Sequence, residues 1–204
     1  LFPKIWCFFE NFNLSGNSAE LLYFSFELRI EEYLKFLIDF TFVVNGKPVF
    51  SKGANWIPAD SFTTRLAREN YLNILQSAVD ANMNTVRVWG GGIYEPDEFY
   101  QLCDEKGILV WQDFMFACSM YSGDQDFLES VENEITYQVK RLKHHPSIAL
   151  WCGNNEIGVA WHNWGWKDEL PSNVWEKDYN EIFHKLIPKI INKNICKITY
   201  YYTI

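Results

Sequence analysis

The sequence predicts an α/β protein built from four consecutive strand–helix units. Three observations predict it. From Phe40 onward, short apolar runs rich in β-branched residues alternate with longer stretches of helical periodicity. The strand runs are apolar throughout, as strands buried on both faces of a parallel sheet must be. Each run ends on a polar or charged residue beside a tryptophan, as at Asn55-Trp56, Arg87 to Trp89, Trp111 to Asp113, and Trp151 to Glu156.

The elements follow in order. Phe42-Val43-Val44 is strand-like, and Asn45-Gly46 signals a hairpin because both residues tolerate positive φ. Pro48-Val49-Phe50 then leads into Lys52-Gly53-Ala54-Asn55-Trp56, read as a strand end. Leu66, Leu72, Leu75, Val79 and Met83 recur mostly at spacings of three and four, which predicts an amphipathic helix. Thr85 to Trp89 is the second strand and stops at Gly90-Gly91-Gly92. Glu95-Pro96-Asp97-Glu98 opens the second helix with acids at its positive end, and Gly107 stops it. Ile108 to Trp111 is the third strand, ending at Asp113. Phe127, Val131, Ile135, Val139 and Leu142 form the stripe of a long helix that Pro146 ends. Ser147 to Trp151 is the fourth strand, ending at Glu156. Beyond a Trp-rich loop, Ile182, Phe183, Leu186, Ile190 and Ile191 predict the fourth helix.

Two architectures fit this order: an open doubly wound sheet, or half of an eight-fold barrel. No Gly-x-Gly-x-x-Gly follows the first strand, which argues against a dinucleotide-binding sheet. A complete barrel takes about 250 residues, and about two-thirds of that follows Phe40. Residues 1–40 have no clean period, with 27–40 readable as helix or strand, and 192–204 lose the pattern. The domain reading is therefore an unclear segment over 1–40, a partial barrel over 41–191 and an unclear tail over 192–204.

Composition bounds the function. The chain has 204 residues, and 48% hydrophobic content supports a sizeable core and excludes wholesale disorder. A net charge of -8 does not suit nucleic acid, which selects a basic face. No apolar run is long enough to span a membrane. The five cysteines include no Cys-x-x-Cys pair, so zinc-site spacing is absent, and Cys152 reads as a buried small hydrophobe. Aromatics make up 18%, with nine Trp, which means an oversized core or a site that packs on the flat faces of sugars. Leu1-Phe2-Pro3-Lys4 has neither an initiating Met nor a signal-peptide layout, so the chain is expected to start inside a longer protein. Asn13-Leu14-Ser15 matches a glycosylation sequon.

In a barrel the chemistry sits at the C-terminal ends of the strands. Glu156 is the candidate general acid, since aromatic walls would raise its pKa; the bland alternative is a solvated acid or a helix-cap partner. Asn155 could bond a sugar hydroxyl. Asp113 binds substrate or pairs with Arg87, and ion pairing is the favoured role for Arg87. Trp89 and Trp164 are candidate sugar platforms. His162, in the run Trp161 to Trp166, lines the same site or belongs to a hydrophobic flap. His144-His145 sits at a helix C-terminus, away from the site.

Four runs together carry a resemblance: Lys52-Gly53-Ala54-Asn55-Trp56-Ile57-Pro58-Ala59-Asp60, Asn84-Thr85-Val86-Arg87-Val88-Trp89-Gly90-Gly91-Gly92, Trp111-Gln112-Asp113-Phe114-Met115-Phe116-Ala117-Cys118 and Trp151-Cys152-Gly153-Asn154-Asn155-Glu156. The segment from Phe42 to Lys167 resembles the first half of the (β/α)8 TIM-barrel domain of the β-mannosidase branch of glycoside hydrolase family two. The resemblance implies removal of terminal, non-reducing β-linked mannose from oligosaccharides with retention of configuration. It places Glu156 at the acid/base position and Asn155 on the sugar 2-hydroxyl, with Trp89 and Asp113 on the sugar side. It implies no metal or organic cofactor, and for animal members a lysosomal location.

The chain also departs from the family. The nucleophile, a Glu near the end of the seventh barrel strand, has no counterpart here, and residues 1–40 hold at most a remnant of the family's β-sandwich domains. The isolated chain is therefore expected to be inactive and poorly folded, since half a barrel leaves strand edges unpaired. Two rivals remain: a β-galactosidase- or β-glucuronidase-type barrel hydrolase, and a vestigial, non-catalytic carbohydrate-binding protein.

Overall fold

A computed structural model describes residues 6–9, 41–168, 171–195 and 201–202. The expectations for residues 27–40 and for the sequon at Asn13 lie outside the described residues. A parallel sheet holds the strands β4 (Gly53–Trp56), β5 (Thr85–Val88), β6 (Leu109–Asp113), β7 (Ile148–Cys152) and β8 (Tyr201–Tyr202), side by side in chain order. Helix α1 (Arg68–Asp80) joins β4 to β5, α2 (Asp97–Lys106) joins β5 to β6, and α3 (Gln125–Leu142) joins β6 to β7. This is the order of a partial (β/α)8 barrel. A smaller sheet holds β1 (Trp6–Phe9), β2 (Thr41–Val44) and β3 (Lys47–Val49).

Strand side chains alternate in direction, so register decides which residues meet the helices and which line the concave face. One row pairs Asn55, Arg87, Trp111 and Leu150. The neighbouring row pairs Ala54, Val86, Val110 and Ile148, and a register shift between Val110 and Trp111 lets Ile148 and Leu150, two residues apart, pack on opposite sides of the sheet. Val86, Val110 and Ile148 pack with Leu75, Phe99, Leu102, Val131, Ile135 and Val139 in the core between sheet and helices. On the concave face Leu150 packs with Ala149, Phe42, Leu109 and Trp111. The β2–β3 hairpin turns at Asn45 and Gly46, whose φ values of 51° and 74° are those of a two-residue primed turn. Its Phe42 and Val44 close the N-terminal end of the concave face, where Val44 approaches Leu109 and Ser147 across a small cavity.

Register also corrects the reading of the strand-end tryptophans. Trp56 is paired with Val88 and Trp151 with Gln112, in rows that face the helices. Trp56 therefore packs on Phe99 at 4.7 Å, and fully buried Trp151 stacks on Phe114 at 5.3 Å. Both are core residues, and the concave face keeps Trp111.

Other boundaries shift for identifiable reasons. Helix α1 takes its inner face from Tyr71 and Leu75, while Leu66 and Met83 lie outside it. Helix α3 begins where the Asp124 carboxylate accepts the Phe127 N–H at 2.9 Å and stops at Lys143, before Pro146. The Trp-rich loop contains a short helix, α4 (Ile157–Asn163), whose Ile157, Ala160 and Trp161 are buried. Beyond it lie α5 (Ser172–Tyr179), a π-helical turn over Asn180–Leu186 and α6 (Ile187–Asn194), so the last helix passes the 191 boundary by three residues, and β8 lies further on within the tail. Pro188 has no N–H to return to the preceding turn, which favours local widening there.

Glu95 precedes α2 and is buried. Its carboxylate accepts Trp56 Nε1–H at 2.9 Å and Tyr71 O–H at 3.1 Å. Burial pushes this carboxyl above the ordinary range, and the two donors offset that only in part. A raised folded-state pKa means the native state holds its proton longer than the unfolded chain. Stability from this group is therefore present at low pH and lost as pH rises through the raised value. Glu95→Gln, which keeps an acceptor for Trp56, is expected to gain on the order of 1 kcal/mol relative to wild type between pH 4 and pH 7. Denaturant unfolding at the two pH values checks this; a difference independent of pH would contradict it.

Candidate active site

The C-terminal strand ends converge on one polar network. Asp113, fully buried at the end of β6, accepts from Arg87 Nη2 at 2.8 Å and Arg87 Nε at 3.2 Å. It also accepts Trp111 Nε1–H at 2.8 Å and the Gly90 N–H at 3.0 Å. Gly90 must be glycine for that approach, because a Cβ there would sit 2.7 Å from the Phe114 carbonyl oxygen. Burial pushes the Asp113 carboxyl up, while the Arg87 guanidinium and the two N–H donors pull it down.

Arg87 distributes its planar donors over three acceptors. Besides Asp113 it donates to Asn155 Oδ1 at 2.8 Å and to Asn55 Oδ1 at 3.4 Å, and its guanidinium lies 5.4 Å from the Trp111 ring centroid. Asn155 is fixed to the sheet by its N–H, which donates to the Phe116 carbonyl at 2.8 Å. Its Nδ2 donates to Glu156 Oε2 at 3.2 Å. A continuous chain therefore runs from β6 through Arg87 and Asn155 to the half-buried Glu156 carboxylate.

Glu156 occupies the N-cap position of α4, yet its side chain caps nothing. The cap is Asn154, whose Oδ1 accepts the Ile157 N–H at 3.1 Å. Sequence reasoning gave Asn154 no role. The available signal was an Asn three residues ahead of the first residue of an apolar helical run, a local pattern in which Asn side chains bond nearby N–H groups.

Of the residues singled out from sequence, Arg87, Asp113, Asn155 and Glu156 are joined directly. Trp89 is half-buried, its indole folded back over Gly91. Trp164 follows α4, 52% exposed and edge-on to Trp166 at 6.4 Å. Neither indole is hydrogen-bonded into the network among the described residues. His162 lies edge-on to Trp175. His145 is buried against Asp104, bonded through Nδ1 at 2.6 Å, beside the residues that precede β7 and so at the opposite end of the sheet.

Residues 37–165 match the model of the glycosyl hydrolases family 2 TIM barrel domain. The chain belongs to glycosyl hydrolase family 2. A relative named β-mannosidase, from Capra hircus, is 55% identical over 156 residues, covering 76% of this chain and 18% of its own length. A β-mannosidase B from Aspergillus flavus is 42% identical over 169 residues, covering 80% of this chain and 20% of its own. The crystal structure of a β-D-mannosidase from Dictyoglomus thermophilum superposes with a TM-score of 0.72 at 40% identity, over 98% of this chain and 21% of that one. The chain thus spans about a fifth of the length of the family members it matches.

Proposed function

We propose that this segment contributes the acid/base side of the active site of a retaining β-mannosidase acting on terminal, non-reducing β-D-mannose. The observation that carries the reading is the Asp113–Arg87–Asn155–Glu156 chain at the C-terminal strand ends, where barrel enzymes of this class bind substrate.

Retaining hydrolysis needs two carboxyl groups about 5–5.5 Å apart, one donating a proton to the departing oxygen and one attacking the anomeric carbon. Glu156 suits the first role. It is half-buried, and one oxygen is oriented by Asn155 Nδ2. Protonated, it gives its proton to the glycosidic oxygen; ionised, it then takes one from the water that releases the sugar. Asp113 does not suit the second role. Its oxygens are engaged by Arg87, Trp111 and Gly90, and it is fully buried. The attacking carboxylate is accordingly assigned to a residue outside the described ones. Asn155 is assigned to the sugar 2-hydroxyl, and the Trp89 and Trp164 indoles to the apolar sugar face. The relatives' names support mannose as the sugar. For an animal protein of this branch, the reading extends to oligosaccharide breakdown in the lysosome. Among the described residues, no helix is long and apolar enough to cross a membrane.

A panel of 4-nitrophenyl glycosides tests the substrate, using a protein of the relatives' full length that carries this segment. The β-mannoside is expected to exceed the β-galactoside and β-glucuronide by at least about 100-fold in kcat/KM, a few kcal/mol of transition-state discrimination. Preference for either rival sugar would refute mannose specificity.

A further inference from the structure

We propose that Asn154 is a positioning residue for the acid/base: its buried amide, bonded to the Ile157 N–H and to the Tyr179 hydroxyl, holds Glu156 in the left-handed backbone conformation that aims the carboxylate at Asn155. The inference rests on the reading of Glu156 as acid/base and extends it to a residue two positions upstream and to a tyrosine on α5.

The conformation needs a holder. Glu156 has φ 58° and ψ 17°, a region sparsely populated by residues with a Cβ, and such residues persist only where the surroundings over-determine them. Asn155, on one side, is bridged to Ala117 and bonded to Phe116. On the other side α4 begins at once, with the Glu156 carbonyl accepting the Ala160 N–H at 2.8 Å. Glu156 is therefore the single residue between the sheet-bonded Asn155 and the first residue of α4, and it takes the turn between them.

Asn154 spans the turn. Its Oδ1 accepts the Ile157 N–H at 3.1 Å, and its Nδ2 donates to Tyr179 Oη at 3.3 Å. Its backbone carbonyl accepts the Cys152 S–H at 3.3 Å. The side chain is fully buried, so neither amide group has bulk water as an alternative partner. Tyr179 is itself held in an aromatic ladder. Trp161 stacks on Trp175 at 4.4 Å, Trp175 on Tyr179 at 4.7 Å, and Tyr179 lies 4.9 Å from Phe183. Trp161, from the run after Glu156, thereby supports the tyrosine that anchors Asn154.

Loss of the amide leaves the Ile157 N–H unpaired and frees the Glu156 backbone to relax, swinging the carboxyl away from Asn155. A displaced acid slows the steps that need its proton and spares those that do not. Phenyl β-mannoside needs protonation of its leaving group; 2,4-dinitrophenyl β-mannoside does not.

In a protein of the relatives' full length, Asn154→Ala is expected to lower kcat/KM, which reports the first step alone, about 30-fold for the phenyl substrate and no more than about 3-fold for the dinitrophenyl substrate. Tyr179→Phe, which removes one anchor of the amide and leaves the ring ladder, is expected to shift the same ratio about 3-fold. Should Asn154→Ala fail to fold, the Tyr179→Phe ratio decides. Equal losses on both substrates, or none, in the variant that folds would overturn the positioning role. Glu156→Gln, run alongside, separates the two claims. If it shows no selectivity for leaving group, the acid/base reading itself fails; if it does while the Asn154 and Tyr179 variants do not, only the positioning role fails.

Discussion

Glu156→Gln is expected to lower kcat on β-mannosides with poor leaving groups by about 100- to 10,000-fold, the range a positioned general acid contributes. The amide keeps the shape of the side chain and can still meet Asn155 after a flip, so folding should be unaffected. What it cannot do is release a proton to the glycosidic oxygen or accept one from the incoming water. KM for activated substrates should fall, because the sugar–enzyme intermediate accumulates when its hydrolysis lacks a base. Steady-state kinetics over a series of aryl β-mannosides measures both. A uniform loss across the series would point to a structural role for Glu156.

Arg87→Ala is expected to cost about 3–5 kcal/mol of stability, because it leaves the Asp113 carboxylate buried without its counter-charge. The magnitude depends on burial: the Asp113 side chain is fully enclosed and that of Arg87 only 19% exposed, so water cannot replace the guanidinium. In a protein of the relatives' full length the melting midpoint should fall accordingly. The loss should grow with pH. Without Arg87, burial drives the Asp113 carboxyl higher still, so the variant's native state takes up a proton at low pH and is least harmed there. Arg87→Lys should not rescue, since a single ammonium cannot engage Asp113, Asn155 and Asn55 at once. Thermal unfolding of Arg87→Ala, Asp113→Asn and the double variant tests the pairing. Additive losses would mean that the two side chains are not coupled.

Much of this was legible in the sequence because the strands are short, apolar and regularly spaced. The order of the four units follows from that periodicity, which fits a doubly wound sheet as well as a barrel; the resemblance carried by the four motif runs implies the barrel, and with it the strand ends as the place of the site. What periodicity does not carry is direction. Trp56 stands beside Asn55, and Trp151 shortly precedes Asn154, so both look like site walls. A shift of one residue along a strand reverses the face, and both indoles belong to the helix-side core. The segment from Ile157 to Trp166 reads as a loop because Gly158, Asn163 and Gly165 interrupt its pattern, yet three buried residues are enough to hold a seven-residue helix. The links from Arg87 to Asn155 and from Asn154 to Tyr179 join residues 68 and 25 apart, a relation no local window contains.

The assignment of Glu156 is tested most directly by chemical rescue of Glu156→Ala in a protein of the relatives' full length. With 2,4-dinitrophenyl β-mannoside and added azide, turnover should recover and the product should be β-mannosyl azide, because the anion enters through the space the carboxylate has vacated and on the face where it would have delivered water. No acceleration by azide, or a product of inverted configuration, would contradict an acid/base at position 156.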